Sequence, residues 1–249
     1  MKKLLLLFFS LFTLVSCKKE TSTSQEDIQN VVIDKDTVLE NKITLRDTTT
    51  FNIPKKLLSI IQKEYEGKDF SIINVALGKI DYDDTEDAAV IIQTTTAQKI
   101  SESVLIYQNR SDSYRLMAQN RSIITQEYYF TDEHTNSSKE ITIENHHLLI
   151  SLFCYGPCGN TFLDFALEND ELVLTNFSTY DVGAGAHIER DYNVAKGIVK
   201  ISTTNTMLDE MPVTEEVFEF TYTKGVRFLD LNTKSLFSEL SEIESKTIL

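Results

Sequence analysis

The chain has 249 residues, of which 41% are hydrophobic and 25% are charged, and its formal net charge at pH 7 is −14. An acidic chain of this kind repels nucleic acid and anionic lipid headgroups, which argues against both as electrostatic partners. Tryptophan is absent, so 14 phenylalanines and 10 tyrosines must supply the aromatic packing of any core.

The N-terminal segment MKKLLLLFFSLFTLVSC has the layout of a secretory signal. Lys2 and Lys3 give it a positive start, and residues 4–15 form a largely apolar run. A helix of that length rises only about 18 Å, which is too short for a hydrocarbon core of about 30 Å. We therefore predict a cleaved signal peptide over residues 1–16 rather than a transmembrane span.

The apolar run ends in Leu14-Val15-Ser16-Cys17, which resembles the lipobox of bacterial lipoproteins. The resemblance implies that Cys17 carries lipid and becomes the first residue of the mature chain. The alternative is an ordinary signal followed by a chance cysteine. Removing residues 1–16 leaves 22 basic and 38 acidic residues, a net charge of −16. Acyl chains rather than charge would then attach the protein to the membrane. The predicted location is the cell envelope, lipid-anchored, at an outer membrane and facing the periplasm or the cell surface.

Residues 17–50 comprise the predicted lipidated N-terminus and a tether rich in Thr, Asp, Glu and Lys. The segment contains no Gly, Pro or aromatic residue, and its short apolar pairs lack a sustained period. This composition is typical of a disordered linker. Residues 51–249 are predicted to form a single β-rich domain.

A helix is predicted within residues 51–68, FNIPKKLLSIIQKEYEGK. Apolar side chains recur there at helical spacing. Asn52 suits an N-cap, Pro54 suits the first turn, and Gly67 marks the end. This is the one N-terminal helix of the expected fold.

Downstream of this helix the hydrophobic period changes to two, which indicates strands. About nine strands are predicted, at residues 70–77, 87–94, 102–108, 113–120, 140–154, 161–169, 171–177, 197–204 and 216–223. A hairpin turn is expected at residues 168–172, and a short helix at residues 235–245. The pattern predicts a mainly β (α+β) domain built on an antiparallel sheet or sandwich.

The order of these features resembles a group of uncharacterised bacterial secreted proteins and lipoproteins. The features are the segment Phe51-Asn52-Ile53-Pro54, the helix, an acidic turn before residues 87–92, and strands within residues 102–124. The glycine-rich segment of that group corresponds here to residues 155–160, YGPCGN. The resemblance implies an extracytoplasmic β-rich domain and carries no activity.

The segment KIDYDDTEDAAVII, residues 79–92, places five acidic residues within seven positions. Asp81, Asp83 and Asp87, with the Thr85 carbonyl, alternate as in loops that wrap calcium with oxygen ligands. The sequence predicts no cofactor, and a weak calcium site in this loop is the possibility left open. The alternative is a hydrated turn whose aspartates cap their own backbone. The lack of a glycine and of a distal bidentate glutamate favours the turn.

The pair Cys154 and Cys158 encloses Tyr-Gly-Pro. Once lipid has taken Cys17, two cysteines remain in an oxidising compartment, which predicts a disulfide across a tight turn. Free thiols are one alternative. A zinc site with His146 and His147 is another, although neighbouring residues of a strand point to opposite faces.

The segment YDVGAGAHIERDY, residues 180–192, is the candidate binding loop. The residues that would contact a ligand are Tyr180, Asp181, His187, Glu189 and Asp191. The alternative is a solvated hairpin loop without a ligand. A weaker hypothesis makes Cys158 a nucleophile, with His187 as its base and Asp181 or Asp191 as the group that orients the base.

The sequence thus predicts an envelope-anchored lipoprotein with a non-enzymatic binding or structural domain. One alternative is an immunity-type lipoprotein whose acidic surface neutralises a basic toxin in the periplasm. A weaker alternative is a cysteine-dependent hydrolase. The predicted partners are the membrane, reached through the lipid anchor, and a protein or ligand that the sequence does not identify. The net negative charge serves mainly solubility, and a basic partner is the alternative.

Overall fold

The computed structural model describes residues 51–97, 99–111, 113–128, 137–154, 159–220 and 225–247. All of them fall within one compact unit, Val38–Leu249. The predicted signal peptide, the tether, Cys17 and Cys158 lie outside the described residues. No helix in the described part of the chain is long and apolar enough to cross a membrane.

The described residues form two α-helices and eleven β-strands, together with 3-10 turns at Gln126–Tyr128 and Phe228–Asp230. The helices are α1 (Lys55–Glu64) and α2 (Thr233–Thr247). The strands are β1 (Asp69–Gly78), β2 (Asp87–Thr95), β3 (Ile100–Arg110), β4 (Ser113–Asn120), β5 (Ser137–Glu144), β6 (His147–Cys154), β7 (Asn160–Glu168), β8 (Glu171–Gly183), β9 (Ala186–Asn193), β10 (Ile198–Asn205) and β11 (Val213–Glu219).

The strands build two antiparallel sheets, each a simple meander in which consecutive strands pair. The first sheet has four strands in the order β1-β2-β3-β4, and the second has seven, in the order β11-β10-β9-β8-β7-β6-β5. The predicted mainly β, antiparallel fold is confirmed, with a helix before the first strand and eleven strands in place of about nine. The helix expected near the C-terminus is present as α2.

Two predicted segments differ from the structure, and each difference adds a strand. The single strand expected at residues 140–154 is divided into β5 and β6 by a turn at Asn145 and His146, which have φ values of 51° and 66°. The loop expected at residues 180–192 is instead the paired ends of β8 and β9, which turn at Gly185 with φ 98°. Two consecutive residues with positive φ are typical of tight hairpins. The turn predicted at residues 168–172 is confirmed between β7 and β8.

Helix α1 begins differently from the prediction. Pro54, not Asn52, occupies the N-cap position, and no side chain caps the helix start. Gly67 follows the helix end with φ 74°, a conformation that glycine adopts without steric cost. Leu57 and Ile61 are fully buried and fix the helix on the first sheet.

The first sheet is buried on both faces. One face packs under α1, and the opposite face joins the larger core shared with the second sheet and α2. Strand β2 is accordingly buried at its first seven positions, as expected of a strand without a solvent face. The second sheet contributes only its inner face to the core, where Phe228, Leu231, Leu236 and Leu240 cover it from the C-terminal segment. Its outer face remains on the surface of the domain.

Candidate functional site

The acidic loop, residues 79–87, uses its carboxylates to bind its own backbone. Oδ1 of Asp83 accepts hydrogen bonds from the backbone N–H and the hydroxyl of Thr85, both at 2.7 Å. Oδ1 of Asp81 accepts the backbone N–H of Asp83 at 3.0 Å. The bonds from Thr85 favour the ionised form and lower the pKa of Asp83.

Asp87 is the one carboxylate of this loop that is buried, with 1% of its surface exposed. Its Oδ2 accepts the backbone N–H of Ile80 at 3.0 Å, and its Oδ1 accepts that of Asn109 at 2.9 Å. Burial raises the pKa of Asp87, while the hydrogen bonds from Asn109 and Ile80 oppose that rise. Asp87 therefore fastens the acidic loop to the neighbouring strand β3.

This geometry is that of the hydrated turn, the alternative favoured by the sequence. The carboxylates of Asp81, Asp83 and Asp87 accept backbone N–H groups, and the Thr85 hydroxyl shares its one proton between Asp83 and the carbonyl of Asn109. Within the described ranges, no group of three or more His, Cys, Asp or Glu side chains is arranged to hold a metal ion. The calcium hypothesis therefore receives no support from the arrangement of these side chains.

The two adjacent histidines serve separate contacts. Nδ1 of His146 lies 2.8 Å from the carbonyl oxygen of Asp81, and the His146 ring packs 4.3 Å from that of Tyr82. Nδ1 of His147 lies 2.6 Å from Oδ1 of Asp164 on the outer face of the second sheet. The hairpin turn at His146 thus holds the acidic loop, and the two rings do not converge on one point.

The zinc hypothesis is wrong for a further geometric reason. Cys154 is the last residue of β6 and His147 is its first, which separates them by about 23 Å of extended chain. The backbone N–H of Cys154 donates to Oδ1 of Asn160 at 3.0 Å, which draws β7 back alongside β6. Cys158 lies outside the described residues, so the disulfide to Cys154 stays a prediction.

The predicted binding residues divide between the two faces of the β8–β9 hairpin. Tyr180, His187, Glu189 and Asp191 lie on the outer face, because they alternate with the buried positions of these strands. Asp181 instead lies on the inner face, where its Oδ2 accepts a hydrogen bond from Nη1 of Arg190 at 3.0 Å. Four of the five predicted residues thus share one face and Asp181 lies on the other, and ligand binding by these residues stays a prediction.

His187, the base in the cysteine-nucleophile hypothesis, is not oriented by either carboxylate proposed for that role. Nδ1 of His187 lies 3.0 Å from the hydroxyl of Tyr180, and no hydrogen bond to either proposed carboxylate is present among the described residues. Asp181 is paired with Arg190, and Asp191 accepts a hydrogen bond from Nδ2 of Asn176 at 2.7 Å. Neither carboxylate orients His187.

The outer faces of β8 to β11 carry adjoining polar side chains, and the exposed Val182, Val213 and Val217 border them. Across the strands, Tyr180 is aligned with Glu189, Glu189 with Ser202, and Ser202 with Glu215. A second row aligns Ser178, Asp191 and Lys200. We name this surface the outer acidic face and define it by Asn176, Ser178, Tyr180, His187, Glu189, Asp191, Lys200, Ser202 and Glu215.

Lys200 is the one lysine or arginine of the outer acidic face. Its Nζ lies 2.7 Å from Oε1 of Glu215, and the two side chains remain 44% and 56% exposed. The hydrogen bond to Glu215 raises the pKa of Lys200, and the charges of Glu189 and Asp191 add to that rise. The surface therefore carries three carboxylates against one ammonium group, together with hydroxyl and amide groups that can bind a polar partner.

The inner side of the same strands is closed by α2. Nε of Arg190 donates to Oε2 of Glu244 at 3.2 Å, and the hydroxyl of Tyr192 donates to the same carboxylate at 2.8 Å. Burial raises the pKa of Tyr192, and the hydrogen bond to Glu244 adds to the effect. Strands β8 to β10 are thus backed by a fixed helix, so that their outer face is presented on a rigid support.

A buried ion pair, which sequence analysis missed, lies between the sheets. Nζ of Lys139 on β5 lies 3.0 Å from Oε1 of Glu102 on β3, and their side chains are 3% and 0% exposed. Nε2 of Gln93 donates to the same oxygen at 3.1 Å. Burial lowers the pKa of Lys139, and the Glu102 carboxylate opposes that change. The buried pair therefore links β3 of the first sheet to β5 of the second sheet.

A polar cleft of about 380 Å³ lies at the end of α1 on the first sheet. It is lined by Tyr65, Lys68, Thr94, Ser101, Arg121 and neighbouring residues. Lys68 lies over the ring of Tyr65, with its Nζ 5.0 Å from the ring centroid. Oγ1 of Thr94 and Oγ of Ser101 bond to each other at 2.8 Å. These groups are occupied by one another, so the cleft is a weaker candidate than the outer acidic face.

The chain was compared with protein-family models, curated proteins and solved structures, and nothing matched in any of the three comparisons. The family resemblance drawn from the sequence therefore stays a prediction.

Proposed function

We propose that this chain is an envelope-anchored lipoprotein whose β-rich domain binds a basic partner through the outer acidic face. The anchor is Cys17, at the end of an apolar run of lipobox type. The acyl chains attach the protein to the membrane, since a mature chain with a net charge of −16 gains nothing from anionic headgroups. The domain is held at the outer membrane, on the periplasmic side or at the cell surface.

The observation that carries the proposal is the composition and support of the outer acidic face. Glu189 is exposed and makes no hydrogen bond or ion pair with any described residue. Asp191 and Glu215 are held in place by Asn176 and Lys200. Charged groups on a rigid sheet favour a complementary surface through electrostatic attraction, which increases the association rate and excludes acidic competitors.

We infer a binding role rather than catalysis because of the surroundings of His187. A histidine that activates a nucleophile is commonly oriented by a carboxylate or amide, and here its contact is the Tyr180 hydroxyl. Asp181, one of the two carboxylates proposed to orient His187, belongs to the inner face. The hydrolase alternative therefore has no oriented base among the described residues.

The immunity-type alternative is a narrower form of the same proposal. In that case the basic partner is a toxin that reaches the periplasm, and binding to the acidic face neutralises it. The specific feature that favours this form is the excess of carboxylates on an exposed and rigid surface. If the protein protects cells from such a toxin and variants of the outer acidic face lose that protection, the immunity role would be distinguished from a structural role.

The proposal is tested by capture of envelope proteins on the immobilised mature lipoprotein. The test variant is Glu189→Gln/Asp191→Asn, which removes two charges and keeps the side-chain shapes. The matched control is Glu66→Gln/Asp69→Asn, which removes two exposed charges next to the first sheet. We expect the wild type and the control to enrich the same basic protein, and the test variant to lose it.

Salt provides a second readout of the same experiment. Exposed charge pairs are screened with a Debye length of about 8 Å at physiological ionic strength. Capture by the wild type should therefore weaken as salt is raised, and the variant should show a smaller salt dependence. Equal enrichment by the test variant and the control would refute the assignment of the outer acidic face.

A further inference from the structure

Strand β11 (Val213–Glu219) ends the second sheet, with β10 as its hydrogen-bonded neighbour. Six of its seven residues are exposed, and Phe218 is partly buried. Most edge strands of globular domains are short, bulged, covered or carry lysine or proline, because unpaired backbone groups invite pairing with another chain. Strand β11 is regular and contains no Lys, Arg or Pro.

The other three sheet edges meet an element of the domain. The β1 edge lies against β5, where Nδ2 of Asn74 donates to the carbonyl of Lys139 at 3.0 Å. A Cβ atom added to Gly78 would lie only 2.6 Å from the carbonyl oxygen of Ile143, which shows how closely these backbones approach. The β4 edge meets the Phe228–Asp230 turn, whose Phe228 carbonyl accepts from Asn120. In the described part of the chain, β10 is the one strand paired with β11, and the exposed residues of β11 leave its other edge open.

The hydrogen-bond phase of β11 shows which backbone groups are free for a partner. Phe220 N–H donates to the carbonyl of Gly197 at 2.8 Å, and the register between β10 and β11 has no irregularity. Because pairs alternate in an antiparallel ladder, every second residue from Phe220 faces β10. The N–H and C=O groups of Glu215, Val217 and Glu219 consequently point to the open side.

The side chains beside this edge combine apolar and acidic character. Val213 and Val217 are 55% and 64% exposed, and the preceding turn exposes Met207 by 77%. Glu216 and Glu219 lie on the strand and make no ion pair among the described residues. Exposed apolar groups add contact area to a paired strand, and the glutamates select the charge of that strand.

The charge also argues against a second copy of this chain as the occupant. Two β11 strands paired antiparallel would bring glutamates of one copy beside glutamates of the other, and like charges across a ladder are destabilising. The same glutamates attract lysine or arginine side chains on a strand from another protein.

We propose that the open edge of β11 accepts an extended, basic segment of a partner protein, which adds to the second sheet as a further strand. The segment alternates lysine or arginine with apolar, β-branched residues. Backbone hydrogen bonds to Glu215, Val217 and Glu219 give the affinity, and the carboxylates give the preference for basic sequence. This inference rests on the proposed function and deepens it by assigning where the basic partner docks.

The test uses the mature lipoprotein in detergent and a dye-labelled ten-residue peptide that alternates Lys and Val. Val217→Pro removes an outward N–H without removing a bond to β10, and Val217→Thr is the matched control that retains the N–H. We expect the wild type and Val217→Thr to bind with dissociation constants within twofold of each other. Val217→Pro should bind at least tenfold more weakly, and a Glu–Val peptide should not bind.

Amide hydrogen exchange on the wild type gives a readout that does not depend on the proline variant. Peptide addition should slow exchange at Glu215, Val217 and Glu219 at least tenfold and leave Glu216 and Phe218 nearly unchanged. The proposal would be overturned if the peptide does not bind, or if exchange at these three amides is unchanged. Equal binding by a folded Val217→Pro protein would overturn it as well. A dimer of the chain that Val217→Pro abolishes would also overturn it, because the edge would then serve a second copy.

The two proposals fail in different measurements. In one case the peptide does not slow amide exchange at β11, but envelope capture still depends on Glu189 and Asp191. This result would reject strand addition and leave the outer acidic face as the binding surface. In the other case Glu189→Gln/Asp191→Asn does not affect envelope capture, but the peptide still slows amide exchange at β11. This result would reject the proposed role of that face and leave the β11 edge as a site for basic peptides.

Discussion

Replacing Lys139 by methionine should destabilise the domain strongly, because it leaves the Glu102 carboxylate buried without its counter-charge. The two side chains are 3% and 0% exposed and lie 3.0 Å apart. Breaking a buried pair by removing one partner costs about 3–5 kcal/mol. For a domain of this size, each kcal/mol corresponds to about 2–4 °C. The melting temperature should therefore fall by about 6–20 °C.

The double variant Lys139→Met/Glu102→Gln should recover much of that loss. Glutamine keeps a carbonyl oxygen for Nε2 of Gln93, which now donates to Oε1 of Glu102 at 3.1 Å, and it removes the uncompensated charge. The assay is urea unfolding followed by circular dichroism, with the three variants and the wild type forming a double-mutant cycle. We expect a coupling energy above about 1.5 kcal/mol between the two positions.

The matched control is Lys200→Met, which breaks an ion pair on the surface. Its partner Glu215 lies 2.7 Å away, and the two side chains are 44% and 56% exposed. Exposed pairs of this kind contribute about 0–1 kcal/mol, so this variant should remain close to the wild type. If Lys139→Met is as mild as Lys200→Met, or if the cycle shows no coupling, the buried pair does not join the sheets as described.

The same pair predicts a pH dependence with a definite sign. Burial holds the pKa of Lys139 in the folded protein below its ordinary value of 10.5. Between the folded value and 10.5, the unfolded chain binds more protons at this position than the native chain. The stability of the wild type relative to Lys139→Met should therefore rise with pH in that window and level off above it. A relative stability that falls through the window would contradict this sign.

Four further predictions concern the anchor, the cysteines and, twice, the acidic loop. Cys17→Ser should release the protein from membranes, and a variant that still fractionates with them would place the anchor elsewhere. Non-reduced peptides of the mature protein should show Cys154 and Cys158 lighter by two hydrogens, whereas alkylation of both thiols without reductant would exclude the disulfide. Asp87→Ala should cost about 2–4 kcal/mol in urea unfolding, because buried N–H groups lose a charged acceptor, while Asp84→Ala should be nearly neutral. Calcium should raise the melting temperature no more than magnesium does; a calcium-specific rise that Asp87→Ala abolishes would revive the metal site.

The β content could be predicted from the sequence because period-two alternation is a local property. The same alternation is present in residues 180–192, where Ile188 and Tyr192 point inward and polar residues point outward. The glycines and acids of that segment favoured a loop, although the turn takes only the two residues Ala184 and Gly185. The prediction of a single strand at residues 140–154 was wrong for a related reason. Asn145 and His146 form a tight turn there without the glycine or proline that usually marks one.

The outer acidic face was partly predictable, and the features that complete it were not. Tyr180, His187, Glu189 and Asp191 share a face once the segment is assigned as a hairpin, and the same alternation excludes Asp181. The open edge of β11 depends on where the other sheet edges are covered, which only the tertiary structure shows. The Lys139–Glu102 pair joins residues 37 positions apart in the chain, and no local pattern indicates it.

The most direct test of the binding account is site-specific photo-crosslinking in the native envelope. A photoreactive residue at Ser202, in the centre of the outer acidic face, should form one adduct with a basic protein. The same residue at Ser59, on the exposed side of α1, should not form that adduct. Absence of an adduct from Ser202, or the same adduct from both positions, would contradict the assignment of the outer acidic face as the binding surface.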